Sequence, residues 1–244
     1  MSRGEIYLRW PQPGLAWIIL DNPNASNAIS ISMMEQLEKH CLDICSQAAR
    51  VVLVSAENTK TFCAGGDLHD VRNHLVEKKS AEMMCDKMSR ALSSFREHDI
   101  FVLMALEGPA VGGGAELTTY GDCVIASEDV YIRFVHSRLG VSPGWGGAMR
   151  LIEKTGIHNA RNILLGAQKY QNEEALRLQL IDKIVEKGKA LTTAMKLAEH
   201  LASMNGVPQE MMSFCREPSK AREKEMFLSL WGEEIHKRAL GLHK

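Results

Sequence analysis

Up to about residue 150, short apolar runs alternate with apolar stripes of helical period; beyond it, stripes predominate. Residues 5–10 and 15–20 are β-prone runs separated by Pro11, Pro13 and Gly14, which predicts an N-terminal hairpin. A polar loop over 21–28 follows. Ser30 stands where a helix cap belongs, and Met33, Met34, Leu37, Cys41, Leu42 and Cys45 recur beyond it at helical spacing, so this stretch reads as an amphipathic helix packed on the sheet. Residues 51–54 (Val-Val-Leu-Val) show no polar alternation, the mark of a strand covered on both faces. Met84, Met88, Leu92 and Phe95 define a second amphipathic helix over 82–97, with the methionines read as core.

Two Gly-rich turns interrupt this pattern. The first, residues 61–68, places Ala64, Gly65 and Gly66 between the strand at 51–54 and a helix beginning near Asp67 and Leu68. In the second, an unbroken apolar run over 100–106 leads through Gly108 and Pro109 to Gly112, Gly113 and Gly114, and then to a helix with Glu116 in its first turn. Three glycines allow backbone angles and close approaches that a side chain blocks, and a helix N-terminus exposes N–H groups suited to an anion or to an oxygen that becomes anionic in a reaction. Two readings fit these residues: an oxyanion site with an acid or base beside it, or a tight strand-to-helix turn whose acidic residue answers the helix dipole. Two such turns in one domain could converge.

Further along, residues 123–126 and 130–132 read as short strands, and 134–138 and the loop 143–147 (Pro-Gly-Trp-Gly-Gly) come next. Asn172 before Glu173 and Glu174 reads as a helix cap, 183–185 as an isolated short strand, and 190–204, 208–215 and 219–236 as helices. Asp70 and His74 are one helical turn apart without a third ligand at a recognisable spacing, so they read as a solvated helix face and no metal is expected.

The chain has 244 residues, 45% of them hydrophobic, enough for one large α/β domain with or without a helical appendage. Its net charge of −1 carries no basic excess for nucleic acid or an anionic membrane. No stretch approaches the roughly 18 apolar residues of a membrane span, and residues 1–5 lack the apolar core of a signal peptide; a soluble, cytoplasmic protein is expected. Cys41, Cys45, Cys63, Cys85, Cys123 and Cys215 form no C-x-x-C pair and read as buried reduced thiols.

Four features taken together resemble the crotonase superfamily, the enoyl-CoA hydratase/isomerase family. They are Asn22-Pro23 with Asn27-Ala28; Phe62 to Leu68; Gly108 to Glu116; and Leu139-Gly140 leading to Pro143-Gly144-Trp145-Gly146-Gly147 and Arg150-Leu151. The resemblance implies an α/β fold: a crotonase-like spiral of ββα units over 1–186, then a helical C-terminal region over 187–244 that builds trimers or dimers of trimers. It implies an acyl-CoA substrate whose thioester oxygen meets the backbone N–H groups of Gly66 and Gly113. Ala64, Asp67, Leu68 and Gly112 would line the path of the CoA ester, with the loop 24–28 beside them and Lys237, Arg238 and Lys244 near its phosphates. CoA is then part of the substrate, and no cofactor is expected.

Hydratases of the family activate one water with two glutamates; Glu116 matches the first, and His136 stands at the place of the second. Within the family the sequence is most similar to the branch that decarboxylates branched malonyl-CoA thioesters, the ethylmalonyl- and methylmalonyl-CoA decarboxylases. The residues that carry this are Gly112 to Thr119, Ile132 to His136, the loop around Trp145, and Leu230-Trp231-Gly232. The resemblance implies loss of CO2 with the thioester carbonyl as electron sink and Glu116 or His136 as proton donor. An enoyl-CoA isomerase or hydratase using Glu116 is the alternative, and a non-catalytic acyl-CoA-binding member of the fold the third reading. By its sequence alone, His136 reads as an ordinary hydrogen-bonded histidine, and only the motif makes it a site residue. Trp145 reads as space filler or as an apolar wall for the acyl group. Arg150 reads as structural, and Arg133 and Arg138 are candidates to meet a carboxylate or phosphate.

Overall fold

Residues 4–204 and 206–242 are described by a computed structural model. Strands β1 (Glu5–Gln12) and β2 (Leu15–Asp21) form the expected hairpin, with Gly14 at its turn in the left-handed region (φ +81°). Helix α1 (Ile31–Ser46), β3 (Val51–Ala56), α2 (Leu68–His74), α3 (Lys78–Glu97) and β4 (Phe101–Leu106) follow. Then come β5 (Ala110–Val111), α4 (Gly113–Thr118), β6 (Cys123–Ser127), β7 (Tyr131–Arg133), α5 (Gly147–Gly166), β8 (Tyr170–Gln171), α6 (Asn172–Arg177) and β9 (Lys183–Val185). The C-terminal region is helical: α7 (Ala190–Ser203), α8 (Val207–Arg216), α9 (Lys220–Leu230) and α10 (Glu234–Ala239). The α/β class and the helical C-terminus are as the sequence implied.

The main sheet has the order β1-β2-β3-β4-β6-β9, parallel from β2 onward. Its central strands are almost wholly apolar, with Ser55 and Ser127 near the ends of β3 and β6, because both faces are covered. Ile18, Leu20, Val52, Val54, Val102, Met104 and Val124 face α1 and α3, meeting Met33, Leu37, Cys41, Ile44, Met88, Leu92 and Phe95. Leu15, Val51, Leu53, Leu103, Ala105 and Ile125 face the other way, onto Ala190, Ala194, Ala198 and Ala202 of α7. Alanines every fourth residue form one stripe along a helix, and their small size lets α7 lie close on the sheet.

A second sheet of order β5-β7-β8 stands beside the first and carries the second Gly-rich turn. The apolar run does not pass straight into that turn, as the sequence suggested; Glu107, Gly108 and Pro109 redirect the chain into β5 first. Glu107 accepts a hydrogen bond from the Leu191 N–H (2.9 Å) and another from the Ser127 hydroxyl, which ties the start of α7 to the end of β4.

Several expectations are corrected. Residues 183–185 are not isolated: β9 pairs with β6 as the sheet's edge. Asn172 makes no capping hydrogen bond; it is the first residue of α6 and adopts a left-handed conformation (φ +49°). The helix predicted over 219–236 breaks between α9 and α10, where Gly232 takes φ +80°. Of the cysteines only Cys41 and Cys63 are buried; Cys45, Cys85 and Cys123 are partly exposed and Cys215 is exposed. Asp70 is no solvated face residue either, since its carboxylate accepts the Ile31 N–H at 2.7 Å and ties α2 to the start of α1. Among the described residues no helix is long and apolar enough to cross a membrane, and no three His, Cys, Asp or Glu side chains gather as for a metal ion.

Candidate active site

The two Gly-rich turns meet. Gly65 takes φ +104°, and a Cβ placed on it would stand 3.0 Å from the Gly113 nitrogen and 3.1 Å from the Val111 oxygen, so only glycine allows this approach. Across the first turn, the Gly65 carbonyl accepts the Ile29 N–H (2.7 Å). A trans peptide directs its N–H opposite to its C=O, so the Gly66 N–H points away from Ile29. In the second turn the Gly112 carbonyl accepts the Glu116 N–H (3.1 Å), which turns the Gly113 N–H out of the N-terminus of α4. Neither N–H has a hydrogen-bond partner among the described residues. Local sequence builds both turns: the Asp67 side chain caps α2 by accepting the His69 N–H (2.8 Å), and Ala64 donates its N–H to the Ser26 carbonyl (3.2 Å), joining the first turn to the loop 24–28.

Glu116 is 2% exposed and its two oxygens are fully engaged. Oε1 accepts the Gly144 N–H (3.1 Å) and lies 3.1 Å from His136 Nε2; Oε2 accepts the Trp145 N–H (2.8 Å) and the Gly147 N–H (3.1 Å). The carboxylate thus sits at the N-terminus of α5, where donors and helix dipole both favour an anion. Gly147 is required there, because a Cβ would fall 2.5 Å from the Glu116 Cβ. His136 is 7% exposed, and its Nδ1 is buried with no partner among the described residues.

Trp145 lies across both turns. A Cβ on Gly113 would come within 2.6 Å of its indole, and one on Gly66 within 3.8 Å. The Trp145 carbonyl accepts the Tyr120 hydroxyl at 2.6 Å, and burial pushes the Tyr120 phenol up to about 12, so it stays a donor. Cys85 on α3 closes the other side, its sulfur 3.2 Å from where a Gly144 Cβ would be; burial first and the nearby Glu116 charge second raise its thiol.

The structure therefore gathers Gly66, Gly112, Gly113, Glu116, His136 and Trp145, with Ala64 and Asp67 on the adjoining turn. Leu68 stands on the same turn but is 60% exposed. Arg133 donates to the Ala167 carbonyl (2.9 Å), Arg138 is exposed, and Arg150 pairs with Glu153 at 2.5 Å. Lys237 and Arg238 are exposed on α10, and Lys244 lies outside the described residues. Sequence reasoning passed over Tyr120 and Cys85. Tyr120 follows Glu116 by four residues, one helical turn, and that spacing was the available signal. Cys85 carries none.

The family profile described as enoyl-CoA hydratase/isomerase matches residues 11–229. The chain is similar to ethylmalonyl-CoA decarboxylase of Xenopus laevis (32% identity, covering 97% of this chain and 82% of the relative) and of Mus musculus (31%, covering 97% and 77%). Among solved structures it resembles an enoyl-CoA hydratase from Bacillus anthracis with a TM-score of 0.87 at 22% identity, over 97% of this chain and 94% of that one. It also resembles an enoyl-CoA hydratase/isomerase family protein from Hyphomonas neptunium, with a TM-score of 0.86 at 24% identity over 97% and 93%. At these identities the structural neighbours speak for the fold, while the profile and the relatives speak for descent: the chain belongs to the enoyl-CoA hydratase/isomerase family.

Proposed function

We propose that the chain removes CO2 from a branched malonyl-CoA thioester, ethylmalonyl-CoA foremost and methylmalonyl-CoA second, leaving a short-chain acyl-CoA. The observation that carries this reading is the buried Glu116–His136 pair beside two free backbone N–H groups. A second carboxylate at the place of His136 would repel the substrate's own carboxylate, and a histidine removes that repulsion. The names of the relatives at about 31% identity point the same way.

In the proposed reaction the thioester oxygen accepts the Gly66 and Gly113 N–H groups. The electron pair of the bond to the carboxyl carbon moves into the new C=C bond as CO2 departs, and the carbonyl pair moves onto the oxygen. Each donor aimed at such an oxyanion contributes about 2.7–4 kcal/mol. The enolate then takes one proton at its α-carbon, and His136 regains it from water. With Glu116 accepting the Nε2–H, the donor in this scheme is the doubly protonated ring: its Nδ1–H passes to the α-carbon, and the ring is left neutral with Nε2–H still on Glu116. A cation paired with the departing carboxylate would stabilise the ground state more than the transition state, which favours protonation as the role of His136. The thioester carbonyl is the electron sink, so the reaction as proposed uses no cofactor.

Purified protein incubated separately with ethylmalonyl-CoA, methylmalonyl-CoA and crotonyl-CoA tests this, with products followed by mass spectrometry. The expected result is butyryl-CoA with CO2 from the first, slower propionyl-CoA from the second, and no change in the third. Hydration of crotonyl-CoA without CO2 loss from either malonyl thioester would overturn the reading in favour of a hydratase. Tight binding of all three without turnover would overturn it in favour of a binding protein.

A further inference from the structure

The indole of Trp145 lies against both Gly-rich turns. It packs on Gly113, where a Cβ would be 2.6 Å from the ring, and its edge reaches toward Gly66. A thioester oxygen held by both N–H groups has its α-carbon only two bonds away, so an α-substituent on the side of the turns would come up against the ring. The ring is not free to leave. It is 3% exposed, and its own residue is fixed on both sides by the N–H donated to Glu116 (2.8 Å) and the carbonyl bound by Tyr120 (2.6 Å). The next residue, Gly146, has φ +84°, and a Cβ there would lie 2.3 Å from the Tyr120 oxygen, so the loop lies tightly against the phenol.

Building on the proposed acyl-CoA chemistry of this site, we propose that Trp145 sets the upper limit on α-branch length and that Tyr120 is the residue positioning it. A loop clamped at both ends cannot yield to a longer branch, and one methylene too many in an apolar pocket costs about tenfold or more in selectivity. Tyr120→Phe keeps the ring and deletes only the hydroxyl that holds the Trp145 carbonyl. Trp145→Leu removes the wall itself, and Trp145→Phe serves if the leucine variant does not fold.

Two measurements separate this inference from the decarboxylase reading. The first is kcat/KM for methylmalonyl-, ethylmalonyl- and butylmalonyl-CoA; the second is Kd for isobutyryl-, 2-ethylbutyryl- and 2-propylpentanoyl-CoA, which have branches but no carboxylate to lose. For the native protein kcat/KM should fall and Kd should rise steeply at the longest branch. Trp145→Leu should raise the longest-to-shortest ratio of kcat/KM, and lower that of Kd, about tenfold or more, and Tyr120→Phe should move both ratios in the same directions by about threefold. A purely structural role for Tyr120 would lower all substrates alike and leave the ratio in place. Unchanged ratios in folded Trp145 variants would overturn the inference; absence of CO2 release with altered Kd ratios would overturn the decarboxylase reading and leave this one standing.

Discussion

Glu116 cannot give a proton to a substrate without surrendering a hydrogen bond, because three backbone N–H groups and His136 take up both of its oxygens. Its place is that of an anchor for the loop 144–147, and His136 is the partner with an unused nitrogen. The two variants should therefore fail in different ways. Glu116→Gln turns an amide NH2 toward N–H donors, which should cost about 2–3 kcal/mol of stability in urea unfolding as well as activity. His136→Gln keeps a nitrogen near Nε2 and deletes Nδ1, so stability should hold while turnover falls about 100-fold or more. A fully stable Glu116→Gln protein with the larger loss of turnover would reverse these roles. The sequence could place Glu116 in a first helical turn because that signal is local. Its real partners lie 28 to 31 residues away in a loop of glycines and one tryptophan, where no periodicity or cap reports a contact.

Elements whose start signals are local were legible. Ser30, read as a cap, accepts the Met33 N–H, and Asp67 and Ser219, at the predicted starts of their helices, likewise accept an N–H two or three residues on. The break at Gly232 and the pairing of β9 were not, since one needs a left-handed glycine inside a helical pattern and the other a partner strand about sixty residues back. The docking of α8 was equally invisible. Arg216, its last residue, donates to the Arg96 carbonyl (2.7 Å) and the Asp99 carboxylate (2.8 Å), and its other amino group lies 3.7 Å from Asp122. Burial raises Asp122, and Arg216 is among the groups that oppose this. Arg216→Met should therefore loosen α8 at a cost of about 2–3 kcal/mol. Hydrogen exchange should speed up across α8 while β3 and β4 keep their protection; equal protection of α8 in both proteins would show that the helix is held by its apolar contacts alone.

At the scale of the whole molecule, the two-faced core sets the response to alkali. Burial pushes Cys63 and Tyr120 up to about 12 and Cys123 up to about 11, and it raises Cys41 as well, against ordinary values of 9.0 for the thiols and 10.0 for the phenol. These folded-state values lie above the unfolded ones. Their contribution to stability is therefore complete below about pH 9 and is lost as pH rises from there through the folded values. Lys154 works in the opposite sense, because burial lowers it and its charged form is relieved as pH climbs, but it is one group against four. Under reducing conditions the urea midpoint should fall steadily from pH 8.5 to 10.5, each fully buried thiol removing about 1.4 kcal/mol per pH unit once the unfolded thiol is ionised. Cys63→Ala should lower stability at pH 7 and yet flatten this slope, since it removes one of the protons the fold retains. A slope unchanged by that substitution would mean that the loss at high pH comes from groups outside the core.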